Sequence, residues 1–184
     1  MGDVRAARSP VEVVESALMR MLLPASRYVL RGPQASLVQA GAALDVPLSL
    51  VACRAAVRGS RAALWLGPDE QLLLDTASTG SEIPEVLAQA LRDLPHSLVD
   101  VSHRQVALQV SGPNAAAAVN TGCPLDLDVS AFPVHMCTRT VLNKAEIVLW
   151  RTASDIFHIE VARSFAPYAA LLLAAAAREL AVPV

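Results

Sequence analysis

The residues with which this chain could bind a metal or build a nucleophile are four histidines, His96, His103, His135 and His158, and three cysteines, Cys53, Cys123 and Cys137. Zinc sites repeat their ligands at short fixed spacings. Here the histidines share no HxxxH or HxH spacing and the cysteines form no CxxC pair, so no ligand set is readable. His96 follows Pro95 at a helix end and His103 sits at a turn, which reads as solvated or capping. His158, between Phe157 and Ile159, reads as a structural histidine on the outward alternation of a strand. Ser102-His103 are adjacent, but a triad needs residues that converge in space, and no GxSxG elbow is present. Cys137 could serve as a thiolate if Arg139 lowered its pKa. A buried cysteine is more commonly a small hydrophobe.

Phosphate chemistry finds no loop either. There are 8 glycines and no GxGxxG or GxxxxGK[ST], so no pyrophosphate cradle is legible. Arg54, Arg58 and Arg61 surround the Gly59-Ser60 turn and could meet an anion, although a solvated hairpin tip has the same composition. Asp100-Val101-Ser102 and Arg139-Thr140 are polar positions on strand-like segments, as the wet face of a sheet would give. The sequence therefore assigns no catalytic, cofactor-binding or metal-binding residue.

Composition points outward instead. The chain has 184 residues, 54% hydrophobic and 17% charged, which is more apolar than a typical soluble domain of this size. That excess implies a surface covered by another protein, even though much of it is alanine, a common helix filler. A net charge of -2 argues against a nucleic-acid partner. The apolar stretch Ala169 to Ala177 falls short of the roughly 20 residues of a membrane span. Sparse cysteines in a chain without a readable secretion signal fit reduced thiols in the cytoplasm.

The elements that must position these residues follow from periodicity and turn chemistry. Ser9-Pro10 opens a helix carrying Val11, Val14, Leu18, Met21 and Leu22, closed by Pro24; it reads as an arm or docking helix over residues 1–26. Tyr28 to Leu30 is a strand ending at Gly32-Pro33, and Gln34 to Ala43 a helix. Strands follow at Ser49 to Val57, Ala62 to Leu66 and Gln71 to Leu74, separated by Gly59-Ser60 and Gly67-Pro68-Asp69, then a helix from Ser81 to Leu94. The pattern restarts with strands at Leu98 to Val101 and Gln105 to Ser111, and Gly112-Pro113 leads into a helix through Ala118. Strands at Cys137 to Leu142, Glu146 to Trp150 and Phe157 to Val161 come next, and a helix from Ser164 to Leu180 ends the series.

The restart has anchors. Gly32-Pro33 matches Gly112-Pro113, Gly41 matches Gly122, Leu64-Trp65 matches Leu149-Trp150, and Asp69 matches Asp155, with a separation that drifts only from 80 to 86 residues. A unit of that length is too long for a solenoid and marginal alone. It predicts an α+β domain over 27–184, built of two antiparallel-sheet-plus-helix halves, 27–94 and 95–184, that share one core.

The stretch from Leu98 to Arg104, with Val110-Ser111-Gly112-Pro113, resembles the start of the folate-binding domains of glycine-cleavage aminomethyltransferases. Gly122-Cys123-Pro124-Leu125-Asp126-Leu127, Met136-Cys137-Thr138-Arg139-Thr140-Val141-Leu142, Lys144 to Thr152 and Phe157 to Val161 resemble the gamma subunit of heterotetrameric sarcosine oxidase, as does Arg163-Ser164-Phe165. Ala63 to Glu70 is the best-matching piece of the first half. Asn143 stands where the family leads one to expect glycine, and asparagine tolerates the left-handed conformation of such a turn.

The resemblance implies a complex with alpha, beta and delta subunits. FAD, covalent FMN, NAD and a tetrahydrofolate site would lie in the large chains and zinc in the delta chain. The complex demethylates sarcosine oxidatively to glycine, passing electrons to oxygen and one carbon to tetrahydrofolate. The gamma chain would hold none of these cofactors and support assembly. The alternatives are a subunit of a complex for another N-methyl amine, a free-standing folate-binding one-carbon protein, and a small enzyme using Cys137 or His103.

Overall fold

The computed structural model describes residue 13, residues 15–77 and residues 82–181. The first half contains β1 (Met19–Met21), β2 (Ser26–Arg31), α1 (Gln34–Leu44), β3 (Ala55–Arg58), β4 (Arg61–Gly67), β5 (Glu70–Asp75) and α2 (Ile83–Ala90). The second repeats the series as β6 (Ser97–Asp100), β7 (Gln105–Ser111), α3 (Ala115–Asn120), β8 (Cys137–Leu142), β9 (Ala145–Ala153), β10 (Ile156–Ala162) and α4 (Ala166–Leu180), with a 3-10 turn at Arg163–Phe165. Among the described residues no helix is long and apolar enough to cross a membrane.

Local chemistry accounts for these boundaries. Helix α1 starts behind Pro33, whose extended backbone ends β2, and buries Leu37, Ala40, Gly41 and Leu44 along one stripe. It stops at Asp45, in the left-handed region at φ 54°, whose N–H turns back to Ala42 and Gly41 carbonyls. Gly41 is required by close approach, since a Cβ there would stand 2.9 Å from the Leu48 nitrogen. Asn143 takes φ 54° in the β8–β9 turn, the conformation its residue type tolerates.

The strands form two five-stranded antiparallel sheets, ordered β3-β4-β5-β2-β6 and β8-β9-β10-β7-β1 when the second is read from the same end. Written so, the halves correspond strand for strand. Gly32 N–H donates to the Asp69 carbonyl and Gly112 N–H to the Asp155 carbonyl, both at 3.0 Å, as the repeat anchors require. The leading strand of each half lies in the other half's sheet: β1 pairs with β7, and β6 with β2. The repeat is therefore a reciprocal exchange of edge strands.

This exchange corrects the docking-helix expectation. Met19–Met21 is a strand bonded to β7, with Met19 opposite Val110 and fully buried. The proposed helix start at Ser9-Pro10, with Val11 and Val14, lies outside the described residues. The strand expected from Ser49 to Val57 begins only at Ala55, and the helix expected to reach Leu94 ends at Ala90; its Ser81 start is also outside the described residues. One anchor shifts. Gln71 pairs with Trp65 and Glu70 with Gly67, while Phe157 pairs with Arg151 and Ile156 with Ala153, so both ladders carry a bulge at the same place. Trp65 and Trp150 thus lie on equivalent strands but one residue out of register. Trp150 corresponds to Leu64, and both sit in the cluster between the sheets.

Alternation divides the core into three parts. Tyr28, Leu30, Ala63 and Leu73 face α1 and α2. Leu108, Val110, Leu149, Phe157 and Ile159 face α3 and α4. The opposite faces meet in a shared seam built on Leu64, Leu72, Leu74, Cys137, Val148 and Trp150.

Candidate functional site

The seam between the sheets collects the ionisable side chains that the apolar faces cannot hold. On β2, Tyr28 and Leu30 point to the helices, which turns Arg27, Val29 and Arg31 toward the second sheet. On β10, Phe157, Ile159 and Val161 point to the helices, which turns His158 and Glu160 toward the first. Two ion clusters result.

In the deeper cluster Arg27 and Glu160, 2% and 1% exposed, pair through Nε and Oε2 at 2.6 Å. Arg27 Nη1 donates to the Ala25 carbonyl at 2.8 Å, and its backbone N–H donates to Ser102 Oγ at 2.9 Å. The other Glu160 oxygen lies 2.7 Å from His158 Nε2, and the His158 ring packs on Trp150 with centroids 5.4 Å apart. Burial would raise the Glu160 pKa, but His158 and Arg27 together outweigh it and hold the carboxyl below the usual carboxylate range.

In the outer cluster Glu70 on β5 is gripped by Arg31 on β2 and Arg139 on β8. Burial again pushes its pKa up, and the bonds from Arg139 and Arg31 more than reverse this, leaving it lowered. Glu70 and Arg139 belong to different sheets, so this pair bridges the halves, as Arg27–Glu160 does. Beside them a cavity of about 320 Å³ opens between the sheets. Val29, Leu72 and Val99 form one wall and Gln105, Glu146 and Val148 the other.

The residues singled out by sequence are dispersed. His96 is exposed and hydrogen-bonds the Leu94 carbonyl at 2.8 Å; His103 and His135 are exposed. Among the described residues no group of three or more His, Cys, Asp or Glu could hold a metal ion. Ser102 Oγ serves the Arg27 backbone and its N–H binds Asp100 Oδ1 at 2.8 Å, so Asp100 and Ser102 form a turn. Cys137 is fully buried, and burial pushes its thiol up to about 12, the wrong direction for a thiolate nucleophile. Arg139, expected to lower it, binds Glu70 instead.

Arg58 pairs with Asp45 at 3.2 Å and Arg61 with Asp75 at 3.5 Å and Glu82 at 3.7 Å, which is not an anion pocket. Proline is the N-cap of α1 (Pro33) and the second residue of α2 and α4 (Pro84, Pro167), positions that offer no N–H to an anion. His158 turns inward to Glu160, with 14% of its side chain exposed, and not outward. Sequence reasoning missed Arg27, Glu70 and Glu160. In Phe157-His158-Ile159-Glu160-Val161 the ionisable residues alternate with apolar ones, the pattern of a solvated sheet face, so the sequence carried no local signal that a second sheet covers them.

Two α+β layers, each an antiparallel sheet backed by helices and joined face to face with the other in repeated topology, define the class of the fold. The aminomethyltransferase T of the glycine cleavage system from Bartonella henselae shares it, with a TM-score of 0.65 over 87% of this chain and 46% of that one, at 16% identity. The chain belongs to the sarcosine oxidase, gamma subunit family, whose model matches residues 32–179. It is 38% identical over 104 residues to sarcosine oxidase subunit gamma of Corynebacterium sp. strain P-1, an alignment covering 56% of this chain and 50% of that protein. The chain thus spans about half the length of the curated relatives it matches. A chain of the heterotetrameric sarcosine oxidase from Corynebacterium sp. U-96, solved with pyrrole 2-carboxylate, superposes with a TM-score of 0.84 at 29% identity. That match covers 90% of this chain and 86% of the other.

Proposed function

We propose that the chain is a non-catalytic gamma subunit of a flavin-dependent heterotetrameric sarcosine oxidase, and that it supports assembly of the flavin-bearing chains. The observation that carries this reading is the likeness over 90% of the chain to a chain of such an enzyme. The chemistry of the seam supports the non-catalytic part. Glu70 and Glu160 are each paired with cationic partners from within the chain, so these two carboxylates stiffen the joint between halves and do not stand as free general bases. In this reading FAD, FMN, NAD, tetrahydrofolate and zinc reside with the alpha, beta and delta subunits. The complex oxidises sarcosine to glycine and passes one carbon to tetrahydrofolate. The flavin supplies the redox chemistry, and this chain supplies a rigid surface.

The test is co-expression with candidate flavin-bearing chains, with an affinity tag on this chain alone. Supported, the tag retrieves a yellow complex that oxidises sarcosine. A tagged chain that emerges colourless and alone, beside flavin chains fully active without it, contradicts the reading. The aminomethyltransferase-like fold keeps a second reading in view, a free-standing folate-binding one-carbon protein. Saturable tetrahydrofolate binding by the chain alone would favour it.

A further inference from the structure

Cys53 and Cys137 are far apart in sequence and adjacent in space. Cys137 N–H donates to the Cys53 carbonyl at 3.1 Å, Ala55 N–H donates to the His135 carbonyl at 2.8 Å, and Arg54 and Met136 are bridge partners between these bonds. Cys53 and Cys137 flank this bridge as opposed residues joined by one backbone hydrogen bond, and directly opposed antiparallel residues stand about 4.5–5.5 Å apart between Cα atoms. A disulfide spans roughly 4.4–6.8 Å between Cα atoms. This short ladder is also where the outer edge of the first sheet, just before β3, joins that of the second, just before β8.

The two thiols differ in reach. Cys53 ends the loop before β3, is half-buried and holds a left-handed φ of 58°. Cys137 points into the seam, buried, with a thiol pushed up first by burial and further by its Cys53 neighbour. Cys123, the third cysteine, is buried elsewhere, 3.8 Å from Thr140 Oγ1.

We propose that Cys53 and Cys137 are a peroxide-responsive thiol pair whose oxidation to a disulfide joins the two sheets covalently at their common edge. The oxidant is a hydroperoxide. The Cys53 sulfur attacks one peroxide oxygen, the O–O bond breaks, and a sulfenic acid and one molecule of water (or alcohol) result. The Cys137 sulfur then attacks the Cys53 sulfur and the S–O bond breaks. The hydroxyl leaves with a proton as water. The two thiols lose two electrons and two protons, and the peroxide gains them. A thiol as weakly acidic as Cys137 makes the second step slow, on a scale set by the thiolate fraction. Cys53 is accordingly the sulfur that meets the oxidant.

The test treats the full chain with hydrogen peroxide, alkylates remaining thiols under denaturant, and maps peptides without reduction. The expected result is a fall from three free thiols to one, a cross-linked peptide joining Cys53 to Cys137 with Cys123 alkylated, and reversal by dithiothreitol. The variant Cys53→Ser should leave Cys137 alkylated under the same peroxide. The proposal is overturned by Cys53 advancing to sulfinic acid with Cys137 free, by a Cys53 bond between two chains, by three unchanged thiols, or by oxidation of Cys137 at an unchanged rate in the variant.

Discussion

Glu160 is the residue on which the joint between the halves turns. Its carboxylate receives Arg27 on one oxygen and faces His158 on the other, and Arg27 has been carried into the interior to meet it. Replacing Glu160 with glutamine leaves a buried guanidinium without its counter-charge, which costs roughly 3–5 kcal/mol. Chemical denaturation at neutral pH measures this as a lower midpoint with an unchanged slope. The pH dependence has a definite sign. Because the folded carboxyl titrates below its unfolded value, its contribution is complete above the unfolded pKa and is lost as pH falls through the folded one. Glu70, lowered in the same way, adds to the same acid-side loss. Glu160→Gln should flatten that part of the stability profile, and a variant with the wild-type acid slope would exclude Glu160 as its source. None of this was open to a search for chemical motifs. The partners of Glu160 come from β2 and its own strand, and only the topology brings Arg27 and Glu160 together.

At the scale of elements, the first strand separates what periodicity can and cannot tell. Leu18, Met21 and Leu22 recur at helical spacing, yet Met19–Met21 is extended, because its hydrogen-bond partners are on β7, about 90 residues away. A local pattern carries no trace of such a partner. The internal repeat could have supplied it, since β6 occupies the equivalent place in the other sheet. A strand has opposite faces at successive residues. Met19→Ala should therefore cost about 2–5 kcal/mol, and Arg20→Ala, at an exposed position, should stay within about 0.5 kcal/mol. Comparable losses at both positions would argue against the strand. Where turn chemistry was strong the sequence reading was close: Gln105–Ser111 and Cys137–Leu142 have the expected bounds. Between Ser49 and Arg54 an apolar run suggested strand, but its backbone turns away from the sheet and only Arg54 makes a bridge.

The whole molecule is two sheets that cannot be parted without breaking both. Each lends its edge strand to the other, two ion clusters span the gap, and the apolar seam ends in Trp150, 8% exposed. Truncating that side chain to alanine should cost roughly 3–5 kcal/mol and lower the yield of assembled complex without changing turnover per flavin. Normal yield would show that the seam is not needed for assembly. The central claim is that this chain supports a flavin enzyme without touching its chemistry, and steady-state turnover per flavin in purified complex tests it directly. With Cys137→Ala or His103→Ala in an intact assembly, turnover should stay within about threefold of the unaltered complex, against the 10²–10⁴ lost with a general acid or base. A loss of about a hundredfold or more in either variant, with assembly intact, would make this chain a catalytic participant and contradict the account.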